Sequence, residues 1–269
     1  MSNLRIGIFD SGVGGLTVLR ELYRQLPQES ILYFADTARL PYGIRSLEEI
    51  LQFTREILGW MTRQGVKMVI MACNTSSALA LEVVQKEFEV PILGIILPGA
   101  RVAVKQGRRI GVLATPATAS SHAYRQAIQE IDETAQVWEV ACSAFVPLIE
   151  KNRLYEPETR QAAQQYLGPL LQQNIDTLIY GCTHYPHLAP VLRQFLPPSV
   201  TLVDPAQHVV AAAEQELELM GLKNSRPAMP TRFCVSGAPE TFAQLSRQWL
   251  GCIPVVEKVY LQPVTSASL

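Results

Sequence analysis

Two cysteines occupy matching places in this chain. Cys73 closes the apolar run Met68-Val-Ile-Met-Ala and precedes Asn74 and Thr75, while Cys182 closes Thr177-Leu-Ile-Tyr-Gly and precedes Thr183 and His184. A lone cysteine after a strand is more often a small buried hydrophobe than a catalyst. Here each is followed by hydroxyl or amide side chains and then an expected helix. Thiols at helix N-termini are those whose pKa falls, so a thiolate base near neutral pH is the expectation at both positions. Two such groups facing one substrate from opposite sides remove a proton from one face of a carbon and return one to the other. Cys142, Cys234 and Cys252 lack this setting and read as structural.

Other polar groups cluster at the ends of apolar runs. Asp10-Ser-Gly-Val-Gly-Gly15 follows the first of them. Its glycines let backbone N–H groups approach an anion at a helix start, but the spacing is neither that of a phosphate loop nor G-x-G-x-x-G. A tight strand-to-helix turn explains the loop at least as well. Asp10 would repel a phosphate there, whereas it could hold an ammonium group or assist an acid/base residue. His184, close behind Cys182, reads as that thiol's polariser or proton partner. Cys182, His184 and His187 also have the spacing C-x-H-x-x-H, but no second cluster completes a zinc site, so no metal is expected. His122, His187 and His208 read as ordinary helix or loop residues.

These groups need a scaffold that repeats. Arg5-Ile-Gly-Ile-Phe-Asp10 is echoed by Arg109-Ile-Gly-Val-Leu-Ala114; residue 5 to 109 and residue 73 to 182 are offsets of 104 and 109, as one duplicated unit with a small insertion would give. Strands are expected at Leu4 to Phe9, Ser30 to Ala35, Lys67 to Ala72, Ile92 to Ile95, Arg109 to Leu113, Gln136 to Ala141, Thr177 to Tyr180 and Thr201 to Val203. Thr231 to Val235 and Val255 to Val259 are expected strands of the tail, with helices at Val209 to Met220 and Glu240 to Leu250. The clearest helix begins at Ser46, where Ser46 and Glu49 make a capping box and Leu47, Ile50, Leu51, Ile57, Leu58 and Met61 form a buried stripe. Strand and helix in alternation predict an α/β fold with parallel sheets flanked by helices. The repeat makes it two pseudosymmetric lobes with the active site in the cleft between them, beyond the carboxyl ends of the strands. Pro-bearing turns at Leu97-Pro-Gly99 and Asp204-Pro205 place the second lobe at 98–204.

Composition narrows the partners. At 269 residues and 48% hydrophobic, the chain can bury one large core or two ordinary ones. Lys plus Arg number 23 against 24 Asp plus Glu, a formal net charge of -1, which leaves no basic excess for a nucleic acid as main ligand. No apolar run approaches the roughly 20 residues of a membrane helix. The first strand starts at Leu4, which leaves no room for a signal peptide, and five scattered cysteines imply free thiols in a reducing compartment. A cytoplasmic protein is expected, with a homo-oligomer left open.

Asp10-Ser-Gly-Val-Gly-Gly15, Pro41-Tyr42-Gly43, Ala72-Cys-Asn-Thr75 and Gly181-Cys-Thr-His-Tyr-Pro186 together resemble glutamate racemases, cofactor-independent bacterial enzymes that supply D-glutamate for peptidoglycan. The resemblance spans both repeats. It implies Cys73 and Cys182 as the acid/base thiols, Asp10 assisting Cys73, and His184 with Glu150, in Val146-Pro-Leu-Ile-Glu150, assisting Cys182. Asp10, Ser11, Tyr42, Gly43, Asn74, Thr75, Thr115, Thr118, Thr183 and His184 would bind glutamate. It also implies that the tail returns to the first lobe, making that lobe 1–97 plus 205–269. Leu97 departs from the acidic residue many relatives carry there, which leaves the catalytic assignment intact. The rivals are a relative of the same fold acting on aspartate, a hydantoin or a malonate, and a two-lobed solute-binding protein. A decarboxylase needs only one thiol, so both cysteines favour racemisation.

Overall fold

A computed structural model describes residues 4–262 of the chain. Residues 1–3 and 263–269, the outer ends of the expected first lobe, lie outside the described residues. All ten expected strands form, with no end shifted by more than one residue: β1 (Arg5–Asp10), β2 (Ser30–Ala35), β3 (Met68–Met71), β4 (Ile92–Gly94), β5 (Arg109–Ala114), β6 (Gln136–Ala141), β7 (Thr177–Gly181), β8 (Thr201–Val203), β9 (Arg232–Val235) and β10 (Val256–Lys258). They make two all-parallel sheets, ordered β10-β9-β2-β1-β3-β4 and β6-β5-β7-β8.

The second sheet repeats the central order of the first. In β2-β1-β3-β4 and in β6-β5-β7-β8 the opening strand of each unit sits between its second and third. Cys73 and Cys182 follow the equivalent strands β3 and β7. Both tail strands extend the first sheet beyond β2.

Period-two side-chain alternation divides the apolar residues of the first sheet between two faces. Ile31, Tyr33 and Ala35 of β2 join Ile6 and Ile8 of β1 in one buried cluster, and Leu32 and Phe34 join Phe9 in another. The second cluster is closed by the helix Leu47–Arg63, whose capping box forms as expected: Glu49 N–H donates to Ser46 Oγ at 3.2 Å, and Ser46 N–H donates to Glu49 Oε2 at 3.0 Å. Ile50, Ile57, Leu58 and Met61 are fully buried there. Leu47 is a correction. It is exposed, at the first position of the helix.

The first cluster runs on into the second sheet. Ile96, Ala100 and Ala103 of the helix Ile96–Gln106 and Ala206, Val209 and Ala213 of the helix Pro205–Leu219 carry it across. The tail helix starts at Pro205 rather than at the expected Val209. Asp204 caps it, accepting from Ala206 N–H at 3.0 Å, and proline suits a first turn where its missing N–H has no partner to lose.

Candidate active site

Parallel strands point their carboxyl ends the same way, so the groups that follow them gather at one edge of each sheet. Asp10 ends β1, Cys73 lies just past β3, Thr115 just past β5, Cys142 just past β6 and Cys182 just past β7. The two edges face one another across a cavity of about 240 Å3. Ser11, Tyr42, Gly43, Cys73, Asn74 and Thr75 line it from the first unit, and Thr115, Cys182, Thr183 and His184 from the second. The thiols thus enter one space from equivalent points of two sheets. A cavity below the ~300–1,000 Å3 common for drug-sized ligands suits a small metabolite.

Asp10, Thr118 and Glu150 do not line this cavity; each stands behind a residue that does. Asp10 is fully buried, its Oδ1 accepting from Gly12 N–H at 2.9 Å and its Oδ2 from the Thr183 hydroxyl at 3.1 Å. Its hydrogen-bond partner across the cleft is therefore the neighbour of Cys182. Thr118 closes a triangle of hydroxyls with Thr115 at 2.9 Å and Thr75 at 3.2 Å, and Thr75 meets Thr115 at 3.0 Å. Glu150, at the end of the helix Phe145–Glu150, holds His184 Nε2 at 2.7 Å, and His184 Nδ1 lies 3.7 Å from Cys182 Sγ. Tyr42 donates to Asp36, which also accepts from Ser236 Oγ at 2.6 Å and from Arg39 Nε at 2.6 Å.

The glycine loop is a close-approach device. A Cβ on Gly14 would stand 2.4 Å from both His184 Nδ1 and Thr183 Oγ1, and one on Gly43 would stand 2.6 Å from Thr115 Cβ. Glycine at these positions lets the two halves touch.

The surroundings of the two thiols differ from expectation. Cys73 is the N-cap of the helix Asn74–Glu87, but burial and then the nearby Asp10 carboxylate push its thiol up to about 12. A helix end contributes little against loss of hydration plus a like charge. Cys182 is followed by the short 3-10 turn Tyr185–Leu188 and the four-residue helix Ala189–Leu192, not by a long helix. Its partner is His184. Burial alone would lower that imidazole, but hydrogen bonds to Cys182 and Glu150 outweigh it and hold His184 well above its ordinary value. The carboxyl of Asp10 is raised by burial, with His184 and the hydrogen bonds from Gly12, Gly15 and Thr183 opposing.

Sequence reasoning missed part of the wall. Leu40, Ile44, Pro116, Cys142, Ser143, Val146 and Pro147 also line the cavity. Cys142 is thus a correction to a purely structural reading, and its place just past β6 was the available signal. Cys234 is buried within β9 and Cys252 is exposed. His122 pairs with Glu139 at 2.8 Å, His187 packs on Trp249, and no group of three or more metal-ligating side chains gathers among the described residues.

A family model for Asp/Glu/hydantoin racemases matches residues 6–213. The chain belongs to that family. A racemase relative from Gloeothece citriformis, named glutamate racemase, is 76% identical over 256 residues, covering 95% of this chain and 92% of its own. Among solved structures, a Bacillus anthracis glutamate racemase superposes with a TM-score of 0.93 at 37% identity, covering 97% of this chain and 99% of its own. A Francisella tularensis glutamate racemase in complex with D-glutamate also gives 0.93, at 34% identity, covering 98% and 100%. Both racemase structures share the two-sheet architecture described above.

Proposed function

We propose that this chain interconverts L- and D-glutamate without a cofactor, Cys73 and Cys182 exchanging protons with the α-carbon from opposite faces. The observation that carries the reading is the pair of thiols entering one small cavity from equivalent strand ends of two facing sheets. One thiolate takes the α-proton and becomes a thiol; the other thiol gives its proton to the opposite face and becomes a thiolate. Glutamate as substrate is supported by the names of the relatives and by D-glutamate in a solved racemase of matching fold.

The surroundings suggest unequal routes to the two thiolates. His184, held by Glu150, gives Cys182 an adjacent imidazole to receive or return a proton. Cys73 has a buried carboxylate nearby instead, so its ionisation awaits the positive charge of a substrate ammonium. Ser11, Tyr42, Gly43, Asn74, Thr75, Thr115 and Thr183 line the space in which the ammonium and carboxylates would be held. Asp10 and Thr118 support that lining from behind.

The lobes of this reading are 1–97 plus 205–269 and 98–204, supported by the membership of the two sheets. The D-glutamate formed would supply peptidoglycan synthesis in the cytoplasm; among the described residues no helix is long and apolar enough to cross a membrane. Incubation with L-glutamate and no added cofactor, followed by a chiral assay for D-glutamate, tests the reaction. D-glutamate formation that ceases in Cys73→Ala and in Cys182→Ala supports the reading, and binding without turnover would favour a solute-binding protein.

A further inference from the structure

Asn74 lines the cavity, and its two amide atoms are in unlike situations. Its Oδ1 accepts a 2.6 Å hydrogen bond from the Tyr124 hydroxyl, and its Nδ2, buried among protein atoms, has no hydrogen-bond partner. Asn74 belongs to the first unit, in the helix Asn74–Glu87 directly after Cys73, and Tyr124 to the second, in the helix Ala123–Ile131. The bond therefore crosses between the halves, and both side chains are buried.

An amide can present either end to a cavity, and the difference matters to an anion. Were the Asn74 amide turned over, its carbonyl oxygen would face the space the substrate carboxylates enter, and the Tyr124 O–H would face an NH2 that cannot accept it. Among the described residues Oδ1 of Asn74 is the acceptor within reach of that hydroxyl. Burial raises the Tyr124 phenol well above its ordinary value, so the O–H stays protonated and stays a donor. A buried donor left without an acceptor is costly, which fixes the amide with its oxygen toward Tyr124.

We infer that Tyr124 is a positioning residue for substrate binding: its hydroxyl locks the Asn74 amide so that Nδ2 is presented to a carboxylate of the bound amino acid. This deepens the proposed glutamate reaction and rests on it for the identity of the anion. The unpaired Nδ2 is the group a carboxylate would satisfy, and it adjoins the reacting Cys73. A donor fixed before substrate arrives loses no rotamer freedom on binding.

The test is a double-mutant cycle with Tyr124→Phe, Asn74→Ala and the pair, read in kcat and KM for racemisation and in Kd for D-glutamate by calorimetry. A hydrogen bond to a charged group is worth about 10- to 100-fold in an equilibrium constant. Tyr124→Phe is expected to raise KM and Kd by about 10-fold or more with kcat changed less, because the carboxylate is held in ground and transition states alike. In the Asn74→Ala background the same substitution is expected to change neither constant, since the group it positions is gone. Equal losses from Tyr124→Phe in both backgrounds, or no loss in either, would overturn the assignment. A hydroxyl that merely supported packing would give the additive result. The Kd cycle also separates the two claims: a wild type that binds D-glutamate without racemising it refutes the reaction, while coupling in Kd still decides the role of Tyr124.

Discussion

Cys73 in the ligand-free protein should behave as an unusually poor nucleophile for its place at a helix start. Its thiol stands at about 12 against an ordinary 9.0, with burial the larger cause and the Asp10 carboxylate the next. At pH 8 the thiolate fraction is then ~10⁻⁴ rather than ~10⁻¹, a difference of about 1,000-fold, and ionising the group there costs about 5 kcal/mol. That cost has to be met by substrate binding and closure before the thiol can act as a base. The assay is iodoacetamide alkylation between pH 6 and 10, quantified at each cysteine by peptide mass spectrometry. Cys73 labelling should rise close to tenfold per pH unit across the range, with no plateau, while the exposed Cys252 supplies the internal comparison. Asp10→Asn removes the like charge and should bring the inflection down without restoring the ordinary value, since burial remains. A plateau in wild-type Cys73 labelling below pH 9 would refute the argument that burial and Asp10 dominate the helix end.

Asp204, buried at the N-terminus of the helix Pro205–Leu219, is raised from 3.8 to about 6, mainly by burial. A folded value above the unfolded one means stability is fully present below about pH 4 and is lost as pH rises through about 6, a loss of about 3 kcal/mol. Asp204→Asn keeps an oxygen for the Ala206 N–H, so it should raise Tm at pH 8 and leave it nearly unchanged at pH 4; an equal shift at both values would contradict the burial argument. Gly14→Ala should cut kcat/KM by at least ~10-fold with the sheets intact, because the added Cβ stands 2.4 Å from His184 Nδ1 and Thr183 Oγ1. Steady-state kinetics beside far-UV circular dichroism check this, and unaltered kinetics would mean the halves meet less closely than described.

The strands and their duplication were legible because apolar runs bounded by turns survive in one sequence. Ser30 to Ala35, Gln136 to Ala141 and Thr201 to Val203 form over the residues expected. The equivalence of Cys73 and Cys182 was legible for the same reason. What failed was whatever depends on distant neighbours. A helix-end argument at Cys73 is local and omits both its burial and Asp10. Cys142 follows an expected strand end, but that position alone does not show that loops from the other unit complete a cavity around it. Leu47 fits the helical period, yet it is exposed at the first position of its helix. The bonds of Asp10 to Thr183 and of Tyr124 to Asn74 join residues 173 and 50 positions apart, and only folding brings such pairs together.

The claim of two separate bases is tested most directly by racemising L-glutamate in D2O and measuring α-deuterium in both enantiomers early in the reaction. The thiol that reprotonates the carbon carries solvent deuterium, whereas the one that has just abstracted a proton holds hydrogen and can return it only to the face it came from. The D-glutamate formed should therefore be deuterated while recovered L-glutamate stays almost unlabelled. Comparable deuterium in the two from the earliest time points would contradict separate bases at Cys73 and Cys182.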